Sequence, residues 1–177
     1  MQIKSQQTLT NALASWGKHE AEGRLAGKVL VDPTNPMAHT ELILLSRSPY
    51  IARILLREPQ TVFEVELDAG DIGNLVLADG RSVESWQADT AQENGESAAH
   101  VQRLINRPQD GAGQGYLLCA ATLVAVNPPH QLSDIVLYDG WHRAAAFVER
   151  ARLERAKSIS GYLVITRTAD RFLSPGL

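Results

Sequence analysis

Five consecutive residues, Asp139, Gly140, Trp141, His142 and Arg143, bring a carboxylate, a glycine, a large aromatic ring, an imidazole and a guanidinium to one point of the chain. They follow the apolar run Ile135-Val136-Leu137-Tyr138 and precede Ala144-Ala145-Ala146. An apolar run that breaks at glycine and passes into an alanine-rich stretch predicts a strand, a sharp turn and a helix beginning near residue 141. The first turn of a helix has backbone N–H groups without intrahelical partners and lies at the positive end of the helix dipole. Phosphate is therefore stabilised there before any side chain takes part. Arg143 would add a forked, charge-assisted donor.

Each of these residues also has a bland reading. Gly140 either lets a ligand approach the backbone or is an ordinary turn glycine. Arg143 is a clamp for a nucleotide's phosphates, or half of a salt bridge with Asp139 or Glu149. His142 contacts phosphate or moves a proton near neutral pH, or else caps and packs the helix. Trp141 offers a face for stacking on a base, or belongs to the rim of the core. Asp139 caps the helix or binds the Mg²⁺ that accompanies a nucleotide. No acidic cluster of nuclease type is visible, so a metal-dependent nuclease would draw its ligands from Asp134, Asp139, Glu149 or the acidic middle of the chain, and no metal ligand is assigned.

The strand, glycine turn, His-Arg pair and small-residue helix resemble the signature of the ParB/sulfiredoxin superfamily, over residues 134 to 167. The resemblance implies an α/β (mixed α+β), ParB/sulfiredoxin-like single domain in which the turn holds a nucleotide. It makes Asp139, Gly140, Trp141, His142 and Arg143 the nucleotide-binding residues and His142 and Arg143 the catalytic ones. Sulfiredoxins carry Gly-Cys-His-Arg here, and Trp141 stands where the reactive cysteine would be, which removes the thiol chemistry. ParB-type CTPases carry Gly-Glu-Arg-Arg, matched only at the glycine and the last arginine, so CTP specificity is not supported. The modest length, the Gly-Trp-His-Arg element and a helical extension in place of a helix-turn-helix module resemble plasmid-encoded fertility-inhibition members of the superfamily. That implies ATP as cofactor, with Mg²⁺ as its companion, ATP hydrolysis, DNA cleavage, and a block on DNA transfer through conjugative type IV secretion machinery. The alternatives are a nucleotide-gated module that binds DNA without cleaving it, and a plain protein-interaction domain.

Composition sets wider bounds. The chain has 177 residues, 44% hydrophobic and 21% charged, which suits a folded domain rather than a disordered one. No apolar run reaches the roughly 18 residues of a membrane span, and the first residues lack the pattern of a signal peptide, so a cytoplasmic protein is expected; the resemblance implies a bacterial one. The single cysteine, Cys119, excludes an intramolecular disulfide and a cysteine-rich zinc site, and its apolar setting predicts a buried small hydrophobe. The net charge of −3 hides an asymmetry. Residues 61 to 115 carry three Lys/Arg against ten Asp/Glu, or −7, and residues 141 to 177 carry seven against three, or +4. The basic end is the part suited to DNA, with Arg150, Arg152 and Arg155 as candidate phosphate contacts on the outward side of the helix; a solvated face and a favourable helix C-terminus explain them equally simply.

The elements that must position the motif follow from periodicity. Residues 1 to 60 read as a helical N-terminal portion, with helices over 8–22 and from Pro49 to Pro59, a short strand over 28–31 between them, and residues 61 to 177 as the nucleotide-binding domain. Strands are expected over 61–67, 116–126, 134–138 and 159–166, with helices over 96–106 and 141–157. Ala78-Asp79-Gly80 between two apolar runs predicts a hairpin, and the glycines of residues 109–115 predict a flexible connection, since no Gly-Lys-Ser/Thr follows.

Overall fold

The computed structural model describes residues 1–9, 11, 12, 15, 61–77, 79–107, 117–124, 131, 132 and 135–166. Within these, helices and strands are mixed. The elements are β1 (Gln2–Gln7), β2 (Thr61–Leu67), α1 (Ala69–Gly73), β3 (Val76–Leu77), α2 (Val83–Glu93), α3 (Glu96–Ile105), β4 (Leu117–Val124), β5 (Gln131–Leu132), β6 (Val136–Asp139), α4 (Trp141–Arg152) and β7 (Ile159–Thr166). The sheet runs β1-β2-β7-β4-β6-β3, with β5 paired to β4. β7 lies parallel to β4, β6 antiparallel to β4, and β3 parallel to β6.

The motif unit is the one the sequence predicts. β6 runs into the glycine turn, α4 follows, and the chain returns as β7 on the other side of β4, so one helix connects two strands that share a neighbour. α4 buries Ala144 to Val148, and the main core joins them to Leu137, Leu117, Leu163, Trp86 and Val101. Alternation along β2 and β7 assigns Phe63, Val65, Leu67, Ile159 and Leu163 to this core. Val62, Tyr162 and Val164 are also buried but lie outside that cluster, so β7 is covered on both faces. Packing is close at Gly161: a Cβ would meet the Leu117 carbonyl oxygen and the Leu67 side chain at 3.1 Å, so a larger residue would need its neighbours to give. Cys119 is buried as expected, and burial pushes its thiol up to about 12, which leaves it protonated and inert at neutral pH.

Three expectations are corrected. The N-terminal portion is not helical at its start: Gln2–Gln7 form a strand in the same sheet as β2, crossing the boundary placed at residue 60. Its residues are mostly polar and largely exposed at a sheet edge, so the apolar periodicity that signals a strand is missing. It is held instead by pairing with β2 and by Lys4 beside Glu66, whose carboxyl is kept below its ordinary value by hydrogen bonds from Lys4 and Ser158. The helix begun near Thr8 is described only at Leu9, Asn11, Ala12 and Ser15; the expected elements over 28–31 and 49–59 and the loop at 109–115 lie outside the described residues.

The hairpin is half right. Gly80 takes φ +86, and Leu77 and Arg81 close the turn with a 2.8 Å backbone hydrogen bond, but the second arm is helix α2. Ser82 is its N-cap, accepting from the Ser85 N–H at 3.1 Å, and Val83, Trp86 and Thr90 give the buried stripe. The cap and the helical spacing outweigh the Asp-Gly signal. β3 pairs in parallel with β6, and what remains of the hairpin is a single antiparallel bridge between Val76 and Ser82.

α4 ends at Arg152, five residues before the expected 157. Glu154 adopts φ +56, with Glu154 N–H bonded to Ala151 O at 3.0 Å and Arg155 N–H to Arg150 O at 2.8 Å. This is the two-bond helix stop usually made with glycine at the left-handed position. Because Glu154 is exposed, Glu154→Gly is expected to raise stability by up to about 1 kcal/mol, relief of the left-handed strain exceeding the extra unfolded-state entropy of glycine. Chemical denaturation measures it; an unchanged or lower midpoint would show that the glutamate is not strained.

Candidate functional site

Gly140 is the N-cap of α4, at φ 99 and ψ 21, and contributes no side-chain cap. Asp139, expected as a possible cap, is instead the last residue of β6. The turn requires glycine twice over. Its φ lies in the left-handed region, and a Cβ would stand 2.6 Å from Leu117 Cδ2 and 3.2 Å from Arg143 Nε. The Gly140 carbonyl accepts the first helical bond from Ala144 N–H at 2.8 Å, so Trp141, His142 and Arg143 form the opening turn whose N–H groups point away from the helix body.

Arg143 Nη2 donates to Asp139 Oδ2 at 2.7 Å, and the two side chains are only 21% and 20% exposed. The salt bridge foreseen with Asp139 is therefore formed, while Glu149 accepts from Arg152 at 2.9 Å and from Gln87 at 2.9 Å. The guanidinium lies against the carboxylate directly before the turn. A phosphate arriving at α4 would share it with Asp139 or draw it across.

Trp141 is a packing residue. Its Nε1 donates to Leu137 O at 3.0 Å, its ring meets Trp86 edge to face at 5.9 Å, and it packs against the main core. A ring held in this way is not a free platform for a base. His142 meets two rings: Trp86 of α2 at 5.1 Å and His100 of α3 at 4.9 Å, nearly perpendicular to each. His100 is the residue that sequence reasoning places on a helix without giving it a role. No local motif links positions 100 and 142; only the packing of α3 on α4 does.

The basic candidates separate. Arg150 is 8% exposed, and among the described residues its Nε has no hydrogen-bond partner. It is not on the outward side as expected, because position 150 is one turn beyond Ala146 and Phe147 and continues their buried stripe. Arg152 is 60% exposed but is paired with Glu149 at 2.9 Å and with Glu84 of α2 at 3.3 Å. Arg155 is exposed beyond the helix stop. Among the described residues, no group of three or more His, Cys, Asp or Glu side chains is arranged to hold a metal, and no helix is long and apolar enough to cross a membrane. Asp134 lies outside the described residues.

Comparison of the chain with family models, with curated proteins and with solved structures returned no match.

Proposed function

We propose that the chain is a nucleotide-binding protein of the ParB/sulfiredoxin type that acts on DNA, with ATP as ligand and ATP hydrolysis and DNA cleavage as activities. The observation that carries the reading is the left-handed glycine at the start of a 12-residue helix, where a Cβ would stand 2.6 Å from Leu117 Cδ2, with Arg143 folded back over the turn. Backbone N–H groups and helix dipole supply the attraction for phosphate, and Arg143 supplies the charge. His142 lies in the same opening turn and is the proton-handling group of the proposal. Mg²⁺ belongs to the nucleotide in this reading: Asp139 is a single carboxylate already bound to Arg143, so no Mg²⁺ ligand is assigned to the chain.

The resemblance to the plasmid fertility-inhibition protein Osa extends the proposal to a block on DNA transfer through conjugative secretion machinery. Purified protein should bind ATP in calorimetry, hydrolyse it, and nick plasmid DNA when Mg²⁺ is supplied. Binding without hydrolysis or nicking would leave a nucleotide-gated DNA-binding module. Absence of binding would leave the second reading, a purely structural turn, which the Arg143–Asp139 pair favours because Asp139 already takes the Arg143 Nη2 without any ligand.

DNA binding has its own test. Neutralising Arg152 and Arg155 together should shallow the salt dependence of duplex affinity, by roughly 0.9 in log-log slope for each DNA phosphate that the variant no longer neutralises. Arg150 is excluded from that pair because its burial makes any substitution a test of stability. Fluorescence titrations at several salt concentrations give both slopes. Equal slopes in variant and parent would make this end of α4 solvated surface only.

A further inference from the structure

We infer that Arg150 is an oxyanion-binding residue whose guanidinium takes a phosphate group at a second position on α4. Among the described residues it is the one charged side chain that is buried, at 8% exposure. Its Nε is enclosed without a hydrogen-bond partner, and no carboxylate among the described residues forms an ion pair with its head. The other arginines set the contrast. Arg81, Arg143 and Arg152 have more exposed side chains, yet each holds a carboxylate, at 2.6, 2.7 and 2.9 Å. A guanidinium keeps its proton in proteins, so burial cannot neutralise it. An enclosed charge without a counter-ion is costly to a fold, and an arriving anion removes that cost.

The ligand class follows from the donor. The planar fork matches two oxygens of one oxyanion, and phosphate brings more charge to an uncompensated cation than a carboxylate does. Arg150 lies one heptad after Arg143, about 20° from it around the helix and about 10.5 Å along it, with buried Ala146 and Phe147 between them. Arg143 is drawn the other way, towards the turn, by Asp139. The two arginines therefore offer separate positions on one face, and the Arg150 position stands whether or not a nucleotide binds at Gly140.

The full chain in phosphate-free buffer is titrated with inorganic phosphate at constant ionic strength, and the arginine Nε–H signals are followed by NMR. The Arg150 signal is the one missing from Arg150→Met and Arg150→Lys. It should shift saturably at millimolar phosphate, and not with chloride. At a tenfold excess over its Kd, phosphate should raise the parent's unfolding midpoint by roughly 3 to 6 °C beyond any gain in Arg150→Met. Arg150→Lys covers the case in which the methionine variant does not fold: it keeps the charge, loses the fork, and should weaken phosphate binding by about tenfold, the loss of one charge-assisted hydrogen bond. A phosphate-specific response that falls in the Arg150 variants and persists in Arg143→Ala supports the inference, even where ATP fails to bind and the nucleotide reading falls. No saturation in the parent, an equal response to chloride, or parent-like binding in the Arg150 variants overturns it.

Discussion

Gly140→Ala is expected to cost about 2 to 5 kcal/mol of stability, the largest effect of any single substitution at the motif. Two terms contribute. A residue with a Cβ pays roughly 1 to 2 kcal/mol in the left-handed region that Gly140 occupies, and forcing a methyl group into a filled space costs about 1 to 3 kcal/mol more. The second term is specific to this site: the new Cβ would stand 2.6 Å from Leu117 Cδ2, and Leu117 is fully buried. For a chain of this length the midpoint of thermal unfolding should fall by roughly 4 to 20 °C.

A second substitution divides the two terms. Leu117→Ala alone leaves a cavity and destabilises, but in combination with Gly140→Ala it removes the atom that the new methyl group strikes. The double variant should therefore be more stable than the sum of the single losses predicts, by about 1 kcal/mol or more, while the backbone term persists. Strict additivity would mean that the collision is relieved by other movements and that the cost of Gly140→Ala is conformational alone.

The legibility of the fold in the sequence depends on where each signal is stored. The β6–α4–β7 unit is readable because its pattern is local: an apolar run, a glycine, then an alanine-rich stripe of core spacing. β2, α3 and β4 are readable for the same reason. β1 is not, because a polar edge strand is specified by its partner and not by its own alternation. At Gly80 two local signals compete, and the cap at Ser82 decides the outcome for a helix. Arg150 is misplaced when its charge is weighed before its position on the helix; counting from Phe147 puts it on the buried side.

The site is legible to the same extent. The residues from Asp139 to Arg143 do meet at a helix N-terminus, as their order implies, but what each one touches is tertiary. That Trp141 faces Trp86 and that His142 faces His100 follows from the packing of α2 and α3 on α4, elements separated from the motif by the whole of β4 and β6. Sequence cannot decide between clamp and salt bridge at Arg143, because both uses need the same residue at the same place. The salt bridge is a structural fact, and it changes what an arginine variant should do.

Arg143→Ala is expected to weaken ATP binding by about 1.5 to 3 kcal/mol, or roughly 10- to 150-fold, if the guanidinium makes a charge-assisted bond to phosphate. It should also cost stability, by roughly 1 kcal/mol, because it leaves the Asp139 carboxylate, which is 20% exposed, without its 2.7 Å partner. Loss of affinity alone therefore does not separate the clamp from a salt bridge that shapes the turn, and Asp139→Asn does. That substitution removes the negative charge competing with phosphate for Arg143, so under the clamp reading ATP affinity should hold or rise, most clearly at low salt where charge repulsion is least screened. Under the structural reading both substitutions disturb the turn, and affinity should fall in both. Calorimetric titration of ATP into the two single variants, each paired with a denaturation curve, reads the outcome. Weaker binding in Arg143→Ala with parent-like or stronger binding in Asp139→Asn assigns the guanidinium to the nucleotide, and parallel losses in affinity and stability assign it to the fold.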